Sequence, residues 1–162
     1  MSFYDLGMTS HIVDQIDPAF VIHGGAGNVP SRTGEEAAKS RCSLRQAFPA
    51  GQQALVVSAC NTAIAAAMTM EDDPLFNAGR GAVFTAAGRN ELDAAVMNGS
   101  DLTAGSVAGL TTTRHPVAAA RAVMERSPHV MLIGPGADAF AASVGLEQVD
   151  PSFFFTDRRW QG

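Results

Sequence analysis

At 162 residues, the chain has the length of about one domain and enough material to bury a real core. Its formal charge of −5 argues against nucleic acid or an anionic membrane surface as the main partner. Lys39 is the single lysine among eleven basic residues, so a catalytic amine has almost no candidates.

Taken in order, residues 1–18 read as an N-terminal arm and residues 19–162 as one domain. Ala19-Phe20-Val21-Ile22-His23 is a short β-type run that meets Gly24-Gly25-Ala26-Gly27 at once. The expectation is a buried strand ending in a glycine-rich turn. Thr33 with Glu36 three residues on matches a capping box and predicts a helix to about Phe48. Pro49-Ala50-Gly51 should break it, and Gln52 to about Met70, rich in alanine, should form a second helix buried between layers.

The stretch from Asp73 to Phe84 has the composition of neither helix nor strand. Pro74 fixes φ and lacks a backbone donor. Gly79 and Gly81 flank Arg80, while Leu75, Phe76 and Ala78 surround one amide, Asn77. A half-apolar loop cannot simply lie in solvent, and its carbonyls must find donors, water or a cation. Beyond it, Gly81–Thr85 and Glu91–Met97 read as strands, and Asn98-Gly99 as a turn. Ala104–Leu110 follows as a strand whose Gly105 and Gly109 suggest a closely packed layer. Pro116 opens a helix to Arg126, Val130–Ile133 is strand-like, and Gly136–Val144 is helical. The apolar triplet Phe153–Phe155 needs a surface to pack on, either a partner chain or more of a longer polypeptide. The order lacks regular βαβ alternation, so an α+β fold with an antiparallel sheet covered by helices is expected.

Candidate chemistry is sparse. The His23–Gly27 loop can be a plain tight turn, an anion cradle of the kind amino-acid kinases carry, or a pocket-shaping amide loop. His23 reads more readily as a satisfied core histidine than as a general base. His11, His115 and His129 have no pairing that suggests zinc. Glu71-Asp72-Asp73 stands at a helix C-terminus, the wrong end for negative charge. A cation held by the next loop's carbonyls would offset it. Asn77 is either a turn-former or a positioned donor, and Thr111-Thr112-Thr113 is read as a strand end. Cys42 and Cys60 read as small buried hydrophobes in a reducing compartment. No nucleophile with an adjacent base is evident. Without a basic-then-apolar leader or a membrane-length run, the reading is cytoplasmic, with no membrane partner.

Val21-Ile22-His-Gly-Gly-Ala-Gly27, Asp73-Pro-Leu-Phe-Asn-Ala-Gly79, Gly81-Ala-Val-Phe-Thr85, Glu91-Leu-Asp-Ala94 and Ala104-Gly-Ser-Val-Ala-Gly109 resemble the plant-type asparaginase / isoaspartyl aminopeptidase family. His115-Pro-Val and Val123–Val130 extend the resemblance. It implies the α chain of an N-terminal-nucleophile hydrolase, an α/β fold of four αββα layers completed only with a β chain. The implied activity is cleavage of asparagine or β-aspartyl dipeptides by a threonine freed through autoproteolysis. That threonine is absent here. The family also implies an (αβ)2 heterotetramer, a small-molecule substrate, no catalytic cofactor and a structural sodium ion. Mapped by motif, main-chain carbonyls of Met70, Glu71, Asp73, Phe76, Ala78 and Arg80 would hold that ion. Asn77 would support the nucleophile, and Gly24 and Gly25 would line the substrate pocket. The rival expectations are a kinase-like anion or nucleotide binder and an inactive structural module.

Overall fold

A computed structural model describes residues 19–25, 34–55 and 57–161. The 1–18 arm, Thr33 and the far half of the glycine loop lie outside the described residues, as does the Glu36 side chain.

The first correction concerns residues 19–25, which form no strand. Val21 is almost fully exposed, and the segment lies instead against the first helix, α1 (Gly34–Ala54). There Phe20 meets Phe48 with ring centroids 5.1 Å apart. A Cβ on Gly51 would sit 2.5 Å from the Phe20 ring, so only glycine admits the aromatic there. This contact lies on the turn that Pro49 was expected to break. α1 instead runs through Pro49 without ending, giving up one helical hydrogen bond. The second helix, α2 (Ala59–Asp72), therefore begins later than expected, at an N-cap on Ser58 whose Oγ accepts from Asn61 N at 3.1 Å. Ser58 is a conventional cap residue that the alanine run obscures. Cys42 on α1 is exposed and Cys60 on α2 only part-buried, so neither is the core filler expected.

After α2 the chain makes the Asp73–Phe84 loop, tightened by a short 3-10 turn at Gly79–Gly81. The expected strand at 81–85 reduces to a single bridge, Phe84 to Asn90. β1 (Leu92–Met97) and β2 (Ala104–Leu110) then pair antiparallel, with Ala94 opposite Val107 and Met97 opposite Ala104. The Asn98-Gly99 signal marks a longer loop than a two-residue turn, closed by Asn98 N to Thr103 O at 2.8 Å. α3 (Pro116–Arg126) carries the chain across to β3 (Met131–Ile133), which joins β2 in parallel through Ser106–Met131 and Ala108–Ile133. The sheet is thus mixed, order β1-β2-β3, because α3 supplies the crossover that parallel pairing requires. The expectation of a wholly antiparallel sheet is corrected on this point, and the α+β class stands.

Gly105 explains how α3 gets so close. A Cβ there would overlap Ala120 O and lie 2.8 Å from Met124 Cβ. α3 and α4 (Gly134–Ser143) cover one face, burying Leu92, Val107, Leu110, Val123, Ala137 and Ala141. Phe154 completes this core, fully enclosed. Phe155 packs on Phe84, and Phe153 lies under Arg80 and Arg114. Phe154 therefore finds its surface within this chain, while Phe153 is part-buried and Phe155 remains exposed. A short helix, α5 (Asp157–Trp160), follows the triplet. Among the described residues, no helix is long and apolar enough to cross a membrane.

Candidate functional site

The Asp73–Phe84 loop is wound so that its carbonyls turn inward. A Cβ on Gly79 would overlap Glu71 O, and one on Gly81 would overlap Phe76 O and lie 2.7 Å from Pro74 O. Gly79 also takes φ +46°, the region that favours glycine. Turn hydrogen bonds use the oxygens of Met70, Asp73, Ala78 and Gly79, which accept from Asp73, Phe76, Gly81 and Ala82 N in that order. The Glu71 and Phe76 carbonyls take no part in those turns. Of the carbonyls assigned to a cation, Glu71 and Phe76 thus face the glycines. Met70, Asp73 and Ala78 each commit one of two lone pairs. An all-oxygen, main-chain donor set suits a hard cation. Among the described residues no group of three or more His, Cys, Asp or Glu side chains could hold a metal.

Asn77 is held by one end only. Its Oδ1 accepts from Val83 N at 2.9 Å, across the loop, while its Nδ2 has no hydrogen-bond partner among the described residues. It lines a cavity of about 250 Å³ with Glu71, Ala78, Val83, Asp93 and Pro116. The oxygen thus serves the turn, as a turn-former would, and the side chain is otherwise exposed.

The acidic run at the end of α2 has protein partners. Glu71 is buried, its Oε1 accepting from Val117 N at 2.9 Å and its Oε2 lying 3.2 Å from His115 Nδ1. Burial pushes the Glu71 carboxyl above its ordinary range, while the bonds from His115 and Val117 pull against that rise. Asp72 pairs with Arg114 at 3.2 Å, and Arg114 also holds Glu147 at 3.0 Å. Asp73 Oδ1 accepts from Leu75 N at 2.9 Å. These contacts satisfy the carboxylates' hydrogen bonds without cancelling their charge: Arg114 is shared between Asp72 and Glu147, and Asp73 meets a backbone N–H.

The threonine run after β2 is more than a strand end. Asp138 on α4 accepts from Thr111 N, Thr112 N and Thr113 N and from the hydroxyls of Thr111 and Thr113, at 2.7–3.3 Å. Burial works to raise its pKa, but these donors prevail and hold the carboxyl below the usual range. Thr113 is fully buried and bridges to Gln148. Nothing local in the sequence ties Asp138 to residues 25–27 positions away.

The glycine loop meets the Asn77 loop. Gly24 lies against Phe76, where a Cβ would stand 3.1 Å from the Phe76 ring and 3.3 Å from the Leu44 methyls. Gly25, at φ +99°, gives its N–H to His23 Nδ1 at 3.1 Å. That amide is thereby occupied, which disfavours an anion cradle, and His23 is exposed rather than a core residue. His23, Phe20 and Val21 border a larger cavity of about 660 Å³ lined by α2, Glu71, Ala78, Ala94 and Ala95. A second of about 310 Å³ continues between α2 and the far end of β1. The small side chains of α2 and the outer face of β1 thus look at each other across empty space.

Sequence reasoning missed Asp138, the Glu71–His115 contact and Arg159. Arg159 sends Nε to Gly81 O at 2.7 Å.

A family model described as asparaginase matches residues 16–162. A putative isoaspartyl peptidase/L-asparaginase of Dictyostelium discoideum is 44% identical over 144 residues, covering 86% of this chain and 42% of that protein. An isoaspartyl peptidase of Salmonella typhimurium is 46% identical over 144 residues, covering 86% of this chain and 46% of its own length. A plant-type L-asparaginase of Pyrococcus abyssi is 40% identical over 144 residues, covering 88% of this chain and 47% of its own. The chain therefore spans less than half the length of these curated relatives.

Proposed function

The chain belongs to the asparaginase family, and on that premise we propose that it is the α subunit of a threonine-dependent amidohydrolase acting on L-asparagine, β-aspartyl dipeptides or both. The observation that carries this reading is the meeting of the two motif loops, Gly24 against Phe76 beside Asn77. The nucleophile would come from the other half of the relatives' length. A threonine at a new chain terminus carries its own base, since an α-amine of pKa about 8 can take the hydroxyl proton. The hydroxyl attacks the side-chain amide carbonyl, ammonia or an amino acid leaves, and water frees the aspartyl group. Donors on the β chain would stabilise the oxyanion, and the Asn77 amide would orient the amine or a water.

Autoproteolysis would separate the two chains, and the β chain would complete an αββα sandwich. The apolar space between α2 and β1 supports that arrangement, because exposed apolar surface of this extent favours a partner. An (αβ)2 assembly in the cytoplasm is the corresponding state. No catalytic cofactor is required. A sodium ion would sit on the carbonyls of Met70, Glu71, Asp73, Phe76, Ala78 and Arg80, where it would stiffen the loop without entering the chemistry.

The test incubates the full-length gene product with L-asparagine and with a β-aspartyl dipeptide, and determines its chain masses and N-termini. Hydrolysis of at least one substrate together with a threonine-led second chain is the expected result. An uncleaved chain that hydrolyses neither substrate overturns the reading.

A further inference from the structure

Arg159 reaches the Asn77 loop from the opposite end of the chain. Its Nε donates to Gly81 O at 2.7 Å, and its Nη2 lies 3.5 Å from Leu75 O. The shorter bond is charge-assisted and the stronger of the two. These carbonyls flank Asn77 on both sides in sequence. Two residues beyond Gly81, Val83 N donates the bond that fixes the Asn77 oxygen. Guanidinium, Gly81 carbonyl, Val83 amide and Asn77 side chain thus form one short mechanical path.

Arg159 is itself well anchored. α5 is seated by Trp160, whose ring meets Phe84 edge-on at 5.0 Å, and by Phe155, 5.5 Å from the same Phe84. Phe154 is sunk in the core. Phe153 lies under both Arg80 and Arg114, 5.7 and 5.3 Å from their guanidinium carbons. The segment from Pro151 to Trp160 grips the loop at Leu75, Arg80, Gly81 and Phe84. A surface helix kept only for packing would have no need to send a guanidinium to the main chain of this loop.

We propose that Arg159 is a positioning residue for Asn77, setting the Gly81–Val83 backbone that aims its side-chain amide. This rests on the reading above that Asn77 serves the hydrolytic reaction. Arg158, one residue earlier, is exposed and is the natural control.

The experiment uses the full-length enzyme with Arg159→Ala, Arg159→Lys, Asn77→Ala, the Asn77→Ala/Arg159→Ala double variant, and Arg158→Ala. Arg159→Ala should lower kcat about 10- to 100-fold, the scale of a small misplacement in a catalytic site, with KM within about twofold. The double variant should turn over no more slowly than Asn77→Ala alone, because one residue acts through the other. Arg159→Lys should fall between, since an ammonium cannot serve two carbonyls as a planar fork does. Arg158→Ala should match wild type. A kcat for Arg159→Ala equal to wild type, or multiplicative losses in the double variant, overturns the proposal. So does an Arg159→Lys variant indistinguishable from wild type.

Amide hydrogen exchange supplies a readout independent of activity. Val83 N–H should exchange at least about tenfold faster in Arg159→Ala and in Arg159→Lys, while Thr85 N–H, bonded to Arg89 O, stays unchanged. Unchanged Val83 protection defeats the positioning role even if activity falls. A wild-type enzyme inactive on both substrates defeats the functional reading, and accelerated Val83 exchange then still upholds the mechanical link.

Discussion

Two polar turns close neighbouring elements of this protein and dispose of their hydrogen bonds in opposite ways. At the end of β2, the Asp138 carboxylate gathers three backbone amides and two hydroxyls of Thr111–Thr113. At the end of α2, Asn77 spends only its oxygen, on Val83 N, and the Glu71 and Phe76 carbonyls turn toward glycines. The first turn is saturated and belongs to stability. The second leaves the exposed Asn77 amide and two carbonyls outside its own turn hydrogen bonds, the capacity the proposed site would use.

The sharpest way to break this contrast is Asn77→Ala in the full-length enzyme. Turnover should fall about 10²–10³-fold, the scale of one lost positioned donor, with a melting temperature close to wild type. Parallel kcat and melting measurements check it, once the β-chain N-terminus is confirmed free. A lower melting point with normal turnover would make Asn77 structural.

Asp138→Asn should do the reverse. Five donors cannot all be served by one amide oxygen, and the new NH2 faces N–H groups. The expected cost is about 2–4 kcal/mol of stability, read by denaturant unfolding, with kcat per folded molecule unchanged.

The same residue gives a pH signature. Its folded pKa is held low, so its stabilising contribution is complete above the unfolded value of about 3.9. It is lost as pH falls through the lower folded value. The stability gap between wild type and Asp138→Asn should therefore be flat from pH 7 to about 5 and narrow below about 4. A gap that widens on acidification would contradict the assignment.

Gly24→Ala should have the smallest effect. The added methyl meets the Phe76 ring at 3.1 Å, a contact that side-chain movement of a few tenths of an ångström relieves. A cost of about 1 kcal/mol is expected, with any loss in kcat exceeding the loss in stability because Phe76 adjoins Asn77. Equal stability and unaltered turnover would separate the two loops functionally.

The sequence disclosed what local pattern can disclose. Apolar periodicity and a proline start revealed α3, and the alternation of Leu92–Met97 and the small residues of Ala104–Leu110 revealed the central strands. It misled wherever tertiary contact overrules local preference. Pro49 sits inside a helix because Phe20 braces that turn. Ala19–His23 looks like a buried strand yet has no neighbour to pair with among the described residues. The glycines of the Asn77 loop were legible as necessities, and the carbonyls they admit explain why. Asp138 and Arg159 were illegible because each acts on residues more than 24 positions away, with no motif to connect them.

The tie from Arg159 to Gly81 spans 78 positions, and a growing polypeptide meets those two groups at different times. At about 5–20 residues per second, synthesis leaves Gly81 waiting about 4–16 s before Arg159 exists. The loop around Asn77 is therefore fastened only at the very end of this stretch of translation, after the sheet and its covering helices have had time to settle. Chains stalled just before codon 159 should be cut by protease within residues 75–83, and chains stalled well past it should resist. Equal resistance in both would mean the loop sets itself without its distant latch.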